Sequence, residues 1–79
     1  MYEIYSKIDC SNCDKAKRAL VQEGCEHRVK ILDVHFDIKD LYQIAPRSHR
    51  SFPMITKHGE YLGGLSELLI DLEKGVTEL

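Results

Sequence analysis

Hydrophobic and polar residues alternate at the start of the chain and then change to a helical spacing. Residues 2–6 alternate between the two sides of an extended backbone, which predicts a β-strand. Over residues 11–23, apolar or small residues recur every three or four positions, which is typical of an amphipathic helix. Gly24 follows directly and suits the residue that ends many helices. Residues 27–33 hold Val, Ile and Leu in a short run and predict a second strand.

The second half of the chain continues this mixture of helices and strands. Residues 37–44 have apolar side chains at helical spacing, and Asp37 is a residue type that caps helix N-termini. The later elements are predicted in this order: a strand at 53–57, a turn at 58–60, a strand at 61–62 interrupted by Gly63 and Gly64, and a helix at 66–74 closed by Gly75. Tyr61 is expected to be a sheet residue.

The predicted order β-α-β-α-β-β-α indicates an α/β fold. Two strands joined through a helix imply a parallel pair with a right-handed crossover. The tight turn at Gly59 implies an antiparallel hairpin. We therefore expect a four-stranded mixed sheet flanked by helices, with residues 1–79 as one domain and no repeat or linker.

Composition and charge exclude several classes of function. The net charge of −2 gives no reason to expect a nucleic acid or an acidic membrane as partner. No apolar stretch approaches the roughly 20 residues of a membrane span. The first residues lack the basic region and apolar run of a signal peptide, so we expect a cytoplasmic location. In a reducing compartment, a CxxC motif is usually redox-active or metal-binding.

The segment Cys10-Ser11-Asn12-Cys13 is the strongest candidate for chemistry. It lies between the first predicted strand and the first predicted helix, so its two thiols are one helical turn apart. A Cα separation of roughly 5 Å there is compatible with a disulfide. The partial positive charge at a helix N-terminus favours a thiolate, the form that attacks disulfides. Lys7 would add positive charge, whereas Asp9 and Asp14 would oppose it.

A zinc site is the alternative use of these cysteines. Cys10, Cys13, Cys25 and His27 form a set of four soft ligands of the kind that zinc sites use. The helix predicted over 11–23 would place Cys25 and His27 roughly 18 Å from the CxxC motif. We therefore expect no bound metal and a partly buried Cys25. A small zinc-binding interaction module stays open as an alternative function.

The sequence resembles the glutaredoxin family, small proteins of the thioredoxin-fold superfamily. Four segments carry the resemblance, in this order: Tyr5-Ser6-Lys7-Ile8-Asp9-Cys10-Ser11-Asn12-Cys13, Asp14-Lys15-Ala16-Lys17-Arg18-Ala19-Leu20, Arg50-Ser51-Phe52-Pro53-Met54-Ile55 and Tyr61-Leu62-Gly63-Gly64-Leu65-Ser66-Glu67. The third resembles the family's Arg-Thr-Val-Pro segment with its cis proline, and the fourth resembles its Gly-Gly-x-Ser-Asp segment. CxxC alone is a weak signal, but this order and spacing of motifs is specific.

The resemblance implies a thioredoxin fold and a glutathione-dependent dithiol oxidoreductase. Cys10 would attack a substrate disulfide or a glutathione mixed disulfide, and Cys13 would resolve the intermediate. A cis bond before Pro53 would turn the Phe52 backbone toward Cys10, where it could pair with an extended substrate. The residues expected to frame the glutathione site are Lys7, Arg50, Phe52, Pro53, Gly63, Gly64, Ser66 and Glu67.

Part of this assignment also follows from the residues themselves. A helix N-terminus with free N–H groups and a serine is an anion site, and glycine permits close approach to the backbone. Gly63, Gly64 and Ser66 have this pattern, while Glu67 would suit the amino group of the substrate. Arg50 is a residue type that binds carboxylates in bidentate fashion.

Two features depart from the family pattern. Ser11-Asn12 stands where glutaredoxins usually have Pro-Tyr, so the reduction potential does not carry over. The chain is also short, and short relatives include viral and bacterial redoxins that serve ribonucleotide reductase. We expect a monomer with glutathione as co-substrate and disulfide-containing proteins, ribonucleotide reductase among them, as partners. A redoxin recycled by thioredoxin reductase is the alternative.

Overall fold

The computed structural model describes residues 1–46 and 51–77 and has the predicted order of elements. The strands and helices are β1 (Tyr2–Ser6), α1 (Ser11–Gln22), β2 (His27–Ile31), α2 (Ile38–Ile44), β3 (Met54–Lys57), β4 (Glu60–Gly63) and α3 (Leu65–Thr77). Within these described residues, no helix combines the length and apolar character needed to span a membrane.

The four strands form one mixed sheet, as predicted, and their order in the sheet is β2-β1-β3-β4. β1 pairs with β2 in parallel, and the pair Ser6 and Ile31 closes that ladder. β3 runs antiparallel to both β1 and β4, with Tyr5 opposite Met54 and Ile55 opposite Gly63. The segments that follow β1, precede β3 and follow β4 therefore meet at one end of the sheet.

Two apolar clusters cover the two faces of the sheet, because successive side chains of a strand point to opposite sides. One face packs against α1 and α3 through Tyr2, Ile4, Ala16, Leu20, Ile55, Leu68 and Leu72. The other packs against α2 through Tyr5, Phe36, Leu41 and Met54. Asp37 begins α2 with a full capping box, in which its side chain and that of Asp40 each accept the other's main-chain N–H.

The second strand is shorter than predicted. It ends at Ile31 because the chain turns there: the N–H groups of Val34 and His35 both donate to the Ile31 carbonyl, at 3.0 and 2.9 Å. Asp33 has a φ of +65°, a left-handed conformation that ends the extended run. Leu32 keeps only an isolated bridge to Phe36.

The last helix is longer than predicted at both ends. It begins at Leu65, and the N–H of Leu68 donates to the Gly64 carbonyl at 3.0 Å, so Gly64 is the N-cap. It continues past Gly75 to Thr77, so the prediction that Gly75 ends it is wrong. A glycine inside a helix costs about 1 kcal/mol relative to alanine but keeps its N–H, so it weakens a helix without ending it.

Candidate functional site

Cys10 and Cys13 form a disulfide, with their Cα atoms 5.2 Å apart. Cys10 is the N-cap of α1 and has an extended backbone, with φ −112° and ψ 103°. The main-chain N–H of Cys13 donates to Cys10 Sγ at 3.2 Å. The sulfur thus occupies the position of a capping oxygen, where helix N–H groups and the helix dipole favour a negative charge.

The two sulfurs differ in accessibility. Cys10 is half-buried, whereas Cys13 is 1% exposed and belongs to the buried face of α1 with Ala16 and Leu20. Only Cys10 can therefore be reached readily by a substrate. Cys13 lies directly behind it, one helical turn further along.

Charged residues flank the two cysteines in the chain. Asp9 precedes Cys10 with a φ of +59°, a conformation that aspartate tolerates better than most residues. Asp14 lies in the first turn of α1 and pairs with Lys17 at 3.6 Å. The Lys7 ammonium lies 5.7 Å from the centre of the Phe52 ring, a cation–π arrangement.

A cleft of about 620 Å³ opens beside the disulfide. Five of the predicted site residues line it: Phe52, Pro53, Gly64, Ser66 and Glu67. The Phe52–Pro53 peptide bond is cis, as the resemblance implied. A cleft of this size is in the range of small-molecule sites.

Sequence reasoning missed four other residues of the cleft wall: Asn12, Ser51, Tyr61 and Leu65. Each is next to or within a motif that was recognised, and adjacency was the only available signal. Asn12 lies between the two cysteines and so connects the cleft with the disulfide. Tyr61 lies in β4, as expected for a sheet residue, but also faces the cleft. Burial raises its pKa, and the nearby Glu67 carboxylate raises it further.

Glu67 has a structural role at the start of α3. Its Oε1 accepts a hydrogen bond from the Gly64 N–H at 2.9 Å, which is one half of a capping box. The other half is missing because Gly64 has no side chain. Gly63 has a φ of +145°, and a Cβ added to it would lie 2.5 Å from Glu67 Cγ. Gly63 is therefore required for backbone conformation and for close approach of the Glu67 side chain.

The other residues considered in the sequence analysis do not line the cleft or lie outside the described residues. Lys7 is not among the residues that line the cleft, but its ammonium lies over the ring of Phe52, which lines it. Arg50 lies outside the described residues. Cys25 is a free, half-buried thiol that packs against the core beyond the far end of α1. Because α1 is formed, it separates Cys25 and His27 from the disulfide. In residues 1–46 and 51–77, no group of three or more His, Cys, Asp or Glu side chains could hold a metal ion.

Compared by sequence, the chain matches no protein-family model and no curated protein. Compared by structure, it is similar to oxidized glutaredoxin 2 from Chlamydomonas reinhardtii, with 32% identity and a TM-score of 0.70 over 98% of this chain and 75% of that one. It is also similar to reduced Escherichia coli glutaredoxin, with 20% identity and a TM-score of 0.78 over 96% of each chain. A buckwheat glutaredoxin solved with glutathione has 24% identity and a TM-score of 0.76, over 94% of this chain and 69% of that one.

Proposed function

Because the chain belongs to the glutaredoxin family and is a thiol-disulfide oxidoreductase, we propose that glutathione is its reductant and Cys10 its nucleophile. Its three helices and four-stranded mixed sheet form the thioredoxin fold. The observation that carries the proposal is the Cys10–Cys13 disulfide beside the cleft lined by Asn12 and Phe52.

Reduction of a glutathione mixed disulfide needs only Cys10. Its thiolate bonds to the glutathione sulfur, and the substrate leaves as a thiolate that takes up a proton. The thiolate of a second glutathione then attacks the bound glutathione sulfur, which releases oxidised glutathione and restores the Cys10 thiolate. The N–H of Cys13 stabilises this thiolate at the start and at the end of the cycle.

Reduction of a protein disulfide needs both cysteines. Cys10 bonds to one substrate sulfur and the other leaves as a thiolate. Cys13 then loses its proton and attacks Cys10 Sγ, which frees the second substrate thiol and forms the Cys10–Cys13 disulfide. Two glutathione molecules reduce this disulfide and leave as oxidised glutathione. The burial of Cys13 one turn behind Cys10 suits a group that reacts only with its neighbour.

The cleft offers complementary groups for the charges of glutathione, which has two carboxylates and one ammonium. The N–H groups at the start of α3 and the Ser66 hydroxyl suit one carboxylate, and Glu67 suits the ammonium. Lys7 and Arg50 are the cations proposed for the other carboxylate. The buckwheat glutaredoxin, which has the same fold, was solved with glutathione bound.

The variant Cys13→Ser tests this proposal by trapping the intermediate. Reduced Cys13→Ser mixed with oxidised glutathione should gain one glutathione per chain by intact mass, and peptide mapping should place it on Cys10. Cys25 is the internal control because it is a half-buried thiol away from the cleft. Modification of Cys25 at a rate equal to that of Cys10 would contradict the proposal.

A redoxin recycled by thioredoxin reductase is the second candidate. One observation favours it: Glu67 already accepts the Gly64 N–H, a donor that a glutathione carboxylate could otherwise use. The chemistry of Cys10 and Cys13 would be unchanged, and only the source of electrons would differ.

Ribonucleotide reductase is proposed as one protein substrate. The proposal rests on analogy alone, because some members of the resembled family serve that enzyme. It predicts that the reduced protein supports ribonucleotide reduction and that Cys13→Ser does not. Equal support by both proteins would exclude a dithiol route to this substrate.

A further inference from the structure

A row of aromatic rings runs from the core of the sheet to the cleft. The rings of Tyr5 and Phe36 meet edge to face, with centroids 5.0 Å apart and planes at 78°. The rings of Phe36 and Phe52 follow at 6.5 Å and 38°. The Lys7 ammonium lies over the Phe52 ring at 5.7 Å. The row therefore ends in a positive charge over the ring of Phe52, a residue that lines the cleft.

Burial decreases along this row toward solvent. Tyr5 and Phe36 are buried, Phe52 is half-buried and Lys7 is exposed. The inner rings are fixed by core packing, so they constrain the Phe52 ring that they contact. An exposed lysine, by contrast, has many accessible rotamers and no fixed position of its own. The ring beneath its ammonium is the contact that restricts it.

This sequence has Phe52 where the Arg-Thr-Val-Pro segment that it resembles has valine. Valine has no ring face, so it could not hold an ammonium group by a cation–π contact. Phenylalanine at this position therefore adds an interaction that the resembled segment lacks. Lys7 is three residues before Cys10 in the sequence, and its ammonium lies over the ring of a residue that lines the cleft.

We propose that Phe52 is a positioning residue, whose ring holds the Lys7 ammonium at the cleft wall and thereby selects disulfides that bear a carboxylate. Phe36 supports the ring from the core side. The proposal rests on the proposed glutathione function, because it assigns a specificity to the same cleft. A carboxylate beside the reacting sulfur pairs with the fixed ammonium, whereas a disulfide without one gains nothing from it.

A double-mutant cycle tests this proposal. One cysteine peptide is prepared as two mixed disulfides, one with glutathione and one with cysteamine, which has an ammonium and no carboxylate. Reduced protein releases the peptide as its Cys10 bonds to the small thiol, and chromatography follows the release. The measured quantity is the ratio of the glutathione rate to the cysteamine rate.

The ratio should fall about two- to fivefold in Phe52→Leu, the range expected for loss of an exposed cation–π contact. Lys7→Met should lower it at least as far, and adding Phe52→Leu to Lys7→Met should lower it no further. Phe52→Tyr should keep the wild-type ratio because it keeps the ring. Lys30→Met is the matched control, since Lys30 lies over the Tyr5 ring at 5.2 Å, at the other end of the row.

Two outcomes would overturn the positioning role of Phe52 and leave the proposed glutathione function intact. One is a wild-type ratio in Phe52→Leu, and the other is additive effects of the Phe52 and Lys7 substitutions. A wild type without preference for the glutathione peptide would instead sink the proposed glutathione function, and this inference with it. A measurement without substrate separates the two cases. The Lys7 ε-methylene protons should show an upfield ring-current shift that Phe52→Leu abolishes and Phe52→Tyr retains; a wild type without that shift would refute the positioning.

Discussion

The main-chain N–H of Cys13 donates to the sulfur of Cys10 at 3.2 Å, so the first helix is capped by the residue proposed as the nucleophile. Caps are usually oxygens of Ser, Thr, Asp or Asn, and they contribute about 1 kcal/mol to stability. For the proposed nucleophile, capping of the helix and activation of the sulfur would be one interaction, because both place negative charge at the helix N-terminus.

This contact separates the effects of two serine substitutions. Cys10→Ser should abolish all disulfide exchange yet keep α1 stable, because serine is itself a good N-cap. Cys13→Ser should abolish protein-disulfide reduction but retain part of the glutathione-linked exchange. Peptide-release assays and thermal unfolding of the reduced proteins would measure both. Disulfide reduction retained by Cys10→Ser would contradict the assigned chemistry.

The environment of Gly63 predicts a large cost for a single methyl group. Gly63→Ala should destabilise the protein by about 3 kcal/mol or more, from an unfavourable φ and from overlap with the Glu67 side chain. Gly24→Ala is the matched control: its φ is also positive, at +67°, but no atom lies within 4 Å of the added Cβ. It should cost only about 1–2 kcal/mol. Equal costs in guanidinium unfolding would contradict this interpretation of Gly63.

The hydrogen bonds of Asp71 predict how the free energy of unfolding changes at acid pH. Its Oδ2 accepts hydrogen bonds from the Tyr2 hydroxyl and, at 2.9 Å, from the Lys57 ammonium. The Tyr2 hydroxyl first and Lys57 second hold the pKa of this carboxyl below its ordinary value near 3.8. A lowered pKa in the folded state gives a contribution that is full above the ordinary value and is lost as the pH falls through the folded one.

Asp71→Asn should therefore lower the free energy of unfolding by about 1–3 kcal/mol at pH 7. The difference from wild type should shrink as the pH falls below about 4. Asp14→Asn is the control, since its ion pair with Lys17 is exposed and should matter by less than about 1 kcal/mol. Urea unfolding between pH 2 and 7 would measure both. A pH-independent difference for Asp71→Asn would refute the prediction.

The hydroxyl of Tyr2 predicts a loss of stability at alkaline pH, whereas Asp71 predicts one at acid pH. Burial, and then the Asp71 carboxylate, raises the pKa of its hydroxyl from 10.0 to about 12. Its contribution is therefore full below pH 10 and is lost as the pH rises through 12. Relative to wild type, Tyr2→Phe should lose less stability between pH 10 and 12. Urea unfolding between pH 8 and 12 would measure both proteins. A Tyr2→Phe curve parallel to that of wild type over this range would contradict the prediction.

The order of elements could be predicted from sequence because each had a strong local signal. The alternation at residues 2–6, the apolar spacing of α1 and the Asp37 cap all depend on neighbours in the chain. The prediction that the last helix ends at Gly75 was wrong because a glycine inside a helix and a glycine after a helix look alike in sequence. The predicted end of β2 was too late in the chain because the strand is ended by a turn, whose N–H groups donate to the Ile31 carbonyl.

The site could be predicted only where a motif marked it. Cys10, Phe52, Pro53 and Gly64 are motif residues, and the fold brings their segments to one end of the sheet. Asn12 and Tyr61 lie within motif segments too, but their place on the cleft wall is set by tertiary packing, which the sequence does not mark. The capping contact of Glu67 depends on side-chain conformation, and so does the stacking of Lys7 on Phe52.

The most direct test of the proposed function is recycling of the oxidised protein in a coupled NADPH assay. One reaction contains glutathione and glutathione reductase, and the other contains thioredoxin reductase alone. Glutathione dependence predicts NADPH consumption in the first reaction, none in the second, and none in either with Cys10→Ser. Consumption only with thioredoxin reductase would contradict the proposed glutathione function while leaving the chemistry of Cys10 and Cys13 in place.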